Sequence, residues 1–347
     1  MQTLTFGPAR ISRLSQSARE KLAVLLVAKH VFWQGDLHHE DGNHATYHRE
    51  IREVLESIGL ERLQLADSYE ALFAHPGCDF VFPLLNRGGF LNSEMLLPLL
   101  ATRLGIPFLG ASPILRGLSD DKHLTKLEAR SRGIPTAPWA IYRRGAPVDS
   151  AACPKGERLV IKPNASSASW GVRDASDWAK ARQAIAEIHD EGHDAIVEPF
   201  LDGSDVEVPV IMGGGVPVIM PMMLFEQADP AHLRTYAEKR DLVERGQKYR
   251  LNPFDGSEFA PAITAYTKAM AGVFFPFDYG RFEFRLDPGT GTLNFMEVNL
   301  NCNLWSEKVF GRSAQLLGWT HADLIETILC ESLQRQGLIS ARELASA

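Results

Sequence analysis

The sharpest alternation of apolar and polar positions in this chain lies near its C-terminal end. Arg281-Phe282-Glu283-Phe284-Arg285-Leu286 and Asn294-Phe295-Met296-Glu297-Val298-Asn299 both repeat with the period of a strand that buries one face. Between them, Asp287-Pro288-Gly289-Thr290-Gly291-Thr292 supplies turn residues, so the pattern predicts a β-hairpin. Residues two apart share a face, which groups Arg281, Glu283 and Arg285, and groups Glu297 with Asn299. Antiparallel folding sets Glu283 roughly opposite Glu297, with Cα atoms about 5 Å apart. Two carboxylates that close repel unless a cation lies between them. With an amide oxygen beside them they suit Mg²⁺, a hard ion that takes oxygen ligands. Taken alone, the alternation also describes a solvated hairpin face with alternating charges.

Upstream patterns build the scaffold. Residues 23–28 form a short apolar run that predicts a buried parallel strand. A His-rich polar loop, 30–44, follows. Residues 47–58 place Ile51, Val54, Leu55 and Ile58 at helical spacing, stopped by Gly59. Residues 80–85 read as a strand, Asn86-Arg87-Gly88-Gly89 as a loop, and Ser93 as the cap of a helix ending before Gly105. This strand–loop–helix grammar predicts a doubly wound α/β lobe over about residues 20–115. Next, residues 119–132 predict a helix capped by Ser119 or Asp120. Residues 145–156 predict a loop or hairpin turn, 159–163 a strand, 177–188 a helix and 195–200 a strand. A hairpin is expected from 206–212 and 216–220 around Gly213-Gly214-Gly215. Residues 226–252 carry little hydrophobic pattern and predict a long loop over a site. A helix over 258–274 and two terminal helices from about Ser306 and Thr320 complete the expectation.

Composition narrows the class. At 347 residues, 45% hydrophobic and 23% charged, the chain can bury two or three lobes of a globular protein. A formal net charge of −7 argues against nucleic acid as the main partner, while leaving room for a local basic pocket. The four cysteines are far apart and make no CxxC, so neither a disulfide framework nor a zinc ribbon is expected and a reducing cytoplasm fits. Residues 1–21 hold no long apolar run, so no signal peptide is expected, and no window has the apolar length of a membrane span.

Candidate chemistry sits at strand ends. Lys162 closes one strand and precedes Asn164-Ala165-Ser166-Ser167-Ala168-Ser169-Trp170-Gly171, where Ser166, Ser167 and small neighbours let backbone N–H groups approach phosphate oxygens. Glu198 ends another strand before Pro199, Phe200 and Leu201, positioned to read an adenine amino group. Asp205 follows within reach of ribose hydroxyls. Lys122 and Lys239 are further phosphate candidates. The chain has neither GxxxxGK[ST] nor GxGxxG after a strand.

In order, these pieces are Asp121-Lys122, the run from Gly133 to Trp139, Val160-Ile161-Lys162-Pro163 with its serine loop, and Val197-Glu198-Pro199-Phe200-Leu201-Asp202-Gly203. Arg281-Phe282-Glu283 and Met296-Glu297-Val298-Asn299-Leu300-Asn301 complete them. The set resembles the ATP-grasp carboxylate–amine ligases, and within them the D-alanine–D-alanine ligases, over roughly residues 78–318. That resemblance implies an α/β fold with an N-terminal domain over 1–115, a central ATP-grasp subdomain over 116–205, and a C-terminal subdomain with the metal site over 206–347. ATP would lie between two antiparallel sheets. Lys122, Lys162 and Lys239 would bind phosphates, helped by Ser166 and Ser167. Glu198 would meet the adenine amino group, Phe200 and Leu201 would flank the base, and Asp205 would take the ribose. Glu283, Glu297 and Asn299 would hold two Mg²⁺ ions, with Mn²⁺ as the alternative, and Arg281 would serve as the catalytic cation beside the reacting carboxyl. The family usually has Asp where this chain has Glu283. A homodimer is implied by the same analogy.

The substrate end departs from the family. The family's glutamate after the first strand has no clear counterpart in the longer loop 30–44. Its His-Gly is Leu85-Asn86 here, and its Pro-Gly after the metal ligands is Cys302-Asn303. A different pair of small-molecule carboxylate and amine substrates is therefore expected, the amine being an amino acid, or else a specialised metabolite as the acid. A catalytically silent nucleotide-binding protein is the reading from another class. His38, His39, His44 and His48 raise a zinc alternative to a polar substrate loop, and Cys302 a nucleophile alternative to shape-filling.

Overall fold

A computed structural model describes residues 4–74, 77–84, 95–166, 168–244, 249–256 and 258–345. Ser167, Leu85, Asn86, Arg87, Gly88, Gly89 and Ser93 lie outside the described residues.

The N-terminal lobe runs through α1 (Gln16–Lys21), β1 (Ala23–Val27), α2 (Asn43–Ile58), β2 (Arg62–Ala66), β3 (Phe80–Pro83) and α3 (Leu96–Leu104). Its three-stranded parallel sheet has the order β2-β1-β3. Every residue of β1 is buried, as a central parallel strand requires. β2 left little trace in the sequence because it is an edge strand and only Ala66 is buried. α2 starts at Asn43, a turn before its apolar stripe, and ends at Gly59, whose φ of 85° suits only glycine readily.

The predicted helix over 119–132 is two helices, α4 (Pro113–Asp120) and α5 (Lys122–Ser131). The cap is Asp121, neither Ser119 nor Asp120: its Oδ1 accepts from Leu124 N at 2.9 Å. The physical reason is long-range. Asp121 bridges to Ala165 and Lys122 N donates to Asn164 O at 3.1 Å, and these bonds pull the backbone out of helical geometry.

The central lobe adds β4 (Ala140–Tyr142), β5 (Leu159–Pro163), β6 (Arg173–Ala175), α6 (Trp178–Asp190) and β7 (Ala195–Pro199). Its antiparallel sheet has the order β4-β7-β5-β6. Within the loop region 145–156 there is a short 3₁₀ turn, Ser150–Ala152.

The C-terminal lobe comprises β8 (Ser204–Gly213), β9 (Val216–Ile219), β10 (Met223–Gln227), α7 (Tyr236–Lys239), β11 (Tyr249–Pro253), α8 (Ala260–Phe274), β12 (Tyr279–Asp287), β13 (Thr292–Asn299), α9 (Val309–Leu316) and α10 (His321–Arg335). Its antiparallel sheet has the order β11-β10-β8-β12-β13, with β9 on β8. The region expected as one long loop is thus bounded by a strand pair, Phe225 facing Leu251. β11 is an edge strand with no fully buried residue, so its sequence lacks the alternation of β12.

Packing ties the lobes together around the cleft. Leu324, Ile328 and Leu333 of α10 share a core with β1, β3 and α2. Ala129 and Ile134, just upstream of the central sheet, pack against Phe282, Phe284 and Phe295 of the C-terminal sheet. Among the described residues, no helix is long and apolar enough to cross a membrane.

Candidate functional site

The hairpin register is the one the alternation predicts. Glu283 faces Glu297 across β12–β13, with a bulge immediately after Glu283. On its other side Glu283 faces Glu207 of β8. Three carboxylates therefore lie in one row across three strands, while Phe282, Phe284 and Leu286 fill the core beneath. Arg281 Nε and Nη2 donate to Glu283 Oε1 at 2.8 and 2.5 Å, and Arg281 Nε stands 3.3 Å from Glu207 Oε2. Burial works against the Arg281 charge, but Glu207 and Glu283 outweigh it and keep the guanidinium a fixed cation. Burial also pushes the Glu283 carboxyl up to about 8; Arg281 opposes this, and Glu297 and Glu207 add to it. Glu297 is only half-buried; desolvation raises its pKa, yet Lys122, Lys162 and Arg281 hold it below the usual carboxylate value.

This wall is short of positive charge. Glu207 Oε2 is buried without a hydrogen bond, and a further cation beside Glu283 would favour its ionised form. Asn299 Oδ1 accepts from Asn301 N at 2.9 Å and keeps a second lone pair. An all-oxygen donor set around crowded carboxylates fits Mg²⁺.

The facing wall comes from β5, β7 and α5. Lys122 donates to Ser166 O at 2.8 Å and reaches Glu297 Oε2 at 3.6 Å. The serine loop beyond it holds Ala168 and Ser169 at φ of 53° and 60°. That left-handed backbone costs a non-glycine residue roughly 1 kcal/mol or more. Glu198 is clamped between Lys126 and Lys162, each at 2.5 Å. Burial raises its pKa, but the two ammonium groups overcome that and hold the carboxyl down at about 2. Burial pulls Lys126 below the usual ammonium value despite Glu198. It acts on Lys162 as well, where Glu198 and Glu297 prevail and hold the pKa above it.

Farther along, Arg158 lies 4.4 Å over the Phe200 ring. Arg285 Nε donates to Leu201 O at 3.1 Å and Nη1 pairs with Asp205 Oδ1 at 2.9 Å. Lys239, at the end of α7, also faces the cleft. Burial and Arg234 draw its pKa down to about 8. Its segment is fastened to the N-terminal lobe: Asn43 N donates to Arg240 O at 2.9 Å, and Asn43 Nδ2 donates to Lys239 O at 3.2 Å and to Asp241 Oδ2 at 2.5 Å. A Cβ on Gly42 would meet Arg240 O at 1.7 Å, so this docking needs glycine there.

One cleft of about 550 Å³ gathers Lys122, Lys162, Ser166, Glu198, Phe200, Leu201, Asp205, Lys239, Arg281, Glu283, Glu297 and Asn299. Ser167 lies outside the described residues. Four participants carry no role assigned from the sequence. Lys126 is four residues after Lys122 and so on the same helix face. Glu207 alternates with Asp205 on one strand. Arg285 shares a face with Glu283. Asn43 left no signal, since its partners lie about two hundred residues away in sequence.

The His-rich segment closes the N-terminal end of the cleft. The spacing favoured His44 with His48, and their rings do lie 4.4 Å apart. Among the described residues, however, the group whose ligand atoms converge is His30, His38 and Asp41. Asp41 is already paired with Lys29 and, at 2.7 Å, with His30 Nε2. Cys302 is buried, and burial pushes its thiol up to about 12, so it is protonated at neutral pH and is not poised as a nucleophile.

Comparison with known proteins fits this geometry. The family model described as D-ala D-ala ligase C-terminus matches residues 129–330. A D-alanine–D-alanine ligase of Synechococcus sp. (strain JA-3-3Ab) is 25% identical over 296 residues, covering 83% of this chain and 88% of that protein. An uncharacterized protein of Sinorhizobium fredii, y4sG, is 28% identical over 236 residues, covering 67% and 68%. The fold is similar to that of a D-alanine–D-alanine ligase from Bacillus anthracis crystallised with ATP, with a TM-score of 0.71 at 16% identity over 91% of this chain and 98% of that one. The family model spans more than half of the chain, so the chain belongs to the D-Ala–D-Ala ligase family and is an ATP-dependent carboxylate–amine ligase of the ATP-grasp fold.

Proposed function

We propose that this ligase activates a small carboxylic acid as its acyl phosphate and joins it to the amino group of an amino acid, releasing ADP and phosphate. The observation that carries this reading is the convergence of a carboxylate row, Arg281 and three lysines on one cleft. ATP would lie between the β5–β7 and β8–β12–β13 walls. Phe200 and Leu201 flank the base, and Asp205, shared with Arg285, meets the ribose. Glu198 accepts from the adenine amino group through lone pairs that Lys126 and Lys162 leave free. Lys122, Lys162 and Lys239 take phosphate oxygens, aided by the serine loop. Glu283, Glu297 and Asn299, with Glu207 adjoining, would hold Mg²⁺, two ions by family analogy, with Mn²⁺ as the alternative. Bound there, the metal would supply neutralisation of phosphate charge.

The chain's own groups do the rest. A carboxylate oxygen attacks the γ-phosphorus, the bond to ADP breaks, and the lysines offset repulsion between the two anions. The amine then attacks the acyl carbon, loses a proton, and phosphate departs with its bonding electron pair. Arg281 receives the oxyanion of the tetrahedral intermediate. The serine loop and the segment around Lys239 exclude water, which would otherwise hydrolyse the acyl phosphate. The departures at loop 30–44 and Cys302-Asn303 support a substrate pair other than two D-alanines. A cytoplasmic setting and a homodimer belong to the same proposal.

The test is ADP release over paired D- and L-amino acids and other small acids, with mass spectrometry of the product. An amide product formed with stoichiometric ADP is expected. Nucleotide binding without ADP release across the panel would instead favour a silent nucleotide-binding protein.

A further inference from the structure

At the end of the cleft bordered by α2, two buried hydrogen-bond donors have no acceptor among the described residues. The first is His48. It is 1% exposed, lines the cleft, and its Nδ1 accepts from His30 N at 3.2 Å. A neutral imidazole that accepts at Nδ1 carries its hydrogen on Nε2. Burial above all, then His30 and Arg240, lowers its pKa to about 3, so the ring is neutral and the tautomer is fixed. Nε2 is buried and unpartnered.

The second is Arg240, which caps α7 and also lines the cleft. Its guanidinium is permanently charged and lies 5.2 Å from the Tyr236 ring centre. Its Nη1 is buried without a partner. The backbone beneath it is fixed by the bond from Asn43 N, which anchors the base of this side chain at the α2 end.

Among the described residues no acceptor stands within hydrogen-bonding distance of either group. Asp41 turns its Oδ2 to Lys29 and His30, and Asp241 Oδ2 accepts from Asn43 Nδ2. Lys29 adds a further positive charge to the lining. A buried donor left unmatched is costly, so two at one end of a binding cleft mark a place where an acceptor belongs. An ammonium group there would face Lys29 and Arg240 and supply no lone pair.

We propose that the acid partner is a dicarboxylate: one carboxylate faces Arg281 and is activated, and the second is received by His48 Nε2–H and Arg240 Nη1–H at the N-terminal end. This rests on the ligase reading above. It assigns that end to an anionic oxygen group, where a neutral side chain would leave both donors bare.

Binding is measured by titration calorimetry on the full chain with Mg²⁺ and a non-hydrolysable ATP analogue, using succinate, glutarate and their monoamides. Wild-type protein should bind at least one dicarboxylate roughly tenfold or more tighter than its monoamide, the worth of a charge-assisted hydrogen bond. That preference should vanish in Arg240→Gln, whose main-chain contacts to Asn43 are unaltered. His48→Gln should weaken it as well, with a melting curve verifying that the buried substitution leaves the fold intact. Equal affinities for acid and monoamide, or a preference that survives in Arg240→Gln, would overturn the assignment. ADP release is read separately. Full turnover with a neutral monocarboxylic acid preserves the ligase and sinks the dicarboxylate. Tight glutarate binding without ADP release from any acid–amine pair supports the dicarboxylate and counts against the ligase.

Discussion

The β8–β12–β13 wall and the α2 end of the cleft lack opposite things. At the wall the buried groups in want of a partner are acceptors: Glu207 Oε2 has no hydrogen bond and Glu283 is crowded by two other carboxylates. At the α2 end they are donors, His48 Nε2 and Arg240 Nη1. One region calls for a cation and the other for an anion, and a substrate between them would be drawn to both. The two are also built differently. Sheet register sets the wall, each charge standing opposite a residue on the next strand. The α2 end depends on a segment from the C-terminal lobe docking onto a helix start, through Gly42 and Asn43.

That contrast can be broken from the wall first. Glu297→Ala should lower ADP release by about a thousandfold or more, since an electrostatic stabiliser of developing charge is worth several kcal/mol. Circular dichroism should remain native, and normal turnover would contradict the wall's role. Chelation of divalent ions should abolish activity equally, with recovery on adding Mg²⁺. Arg281→Ala should lower kcat about a hundredfold with little change in ATP affinity; an unchanged kcat in steady-state assays would remove it from the oxyanion step.

The Glu198 clamp gives a stability test. Its folded pKa, about 2, lies below the usual carboxylate value of 4.5. The unfolded chain therefore binds the proton more readily, and the clamp's contribution is fully present above about pH 4.5. It is lost as pH falls toward 2, on the order of 3 kcal/mol in all. Urea denaturation between pH 5 and pH 2.5 should show wild type losing markedly more stability than Glu198→Gln. Parallel curves would mean that the two lysines do not hold the carboxylate. The smallest effect is at the docking contact. Asn43→Ala should lower kcat/KM about tenfold through Lys239, the worth of one or two side-chain hydrogen bonds, while ATP-independent stability changes little. An unaltered kcat/KM would show that Lys239 is positioned without it.

How much of this was legible follows from range. The Glu283–Glu297 pairing could be read because a hairpin with a short turn fixes its own register, and the alternation of Phe282, Phe284 and Leu286 states which face is buried. Lys162, Glu198 and Asp205 were legible as polar residues at apolar strand ends. The break at Asp121 was not, because bonds to Asn164 and Ala165 decide it. Nor were β2 and β11, edge strands that bury too little to impose a period on their residues.

By itself the sequence determined the hairpin, its carboxylate face and the strand-end Lys162, since these depend on neighbours within about twenty residues and on the strand period alone. Tertiary structure decided that Glu207 completes the carboxylate row, that Lys126 and Lys162 share Glu198, and that His48 and Arg240 meet at one end of the cleft. Those outcomes join residues far apart in the chain, where only the packing of three lobes fixes which charges and hydrogen-bonding groups come together.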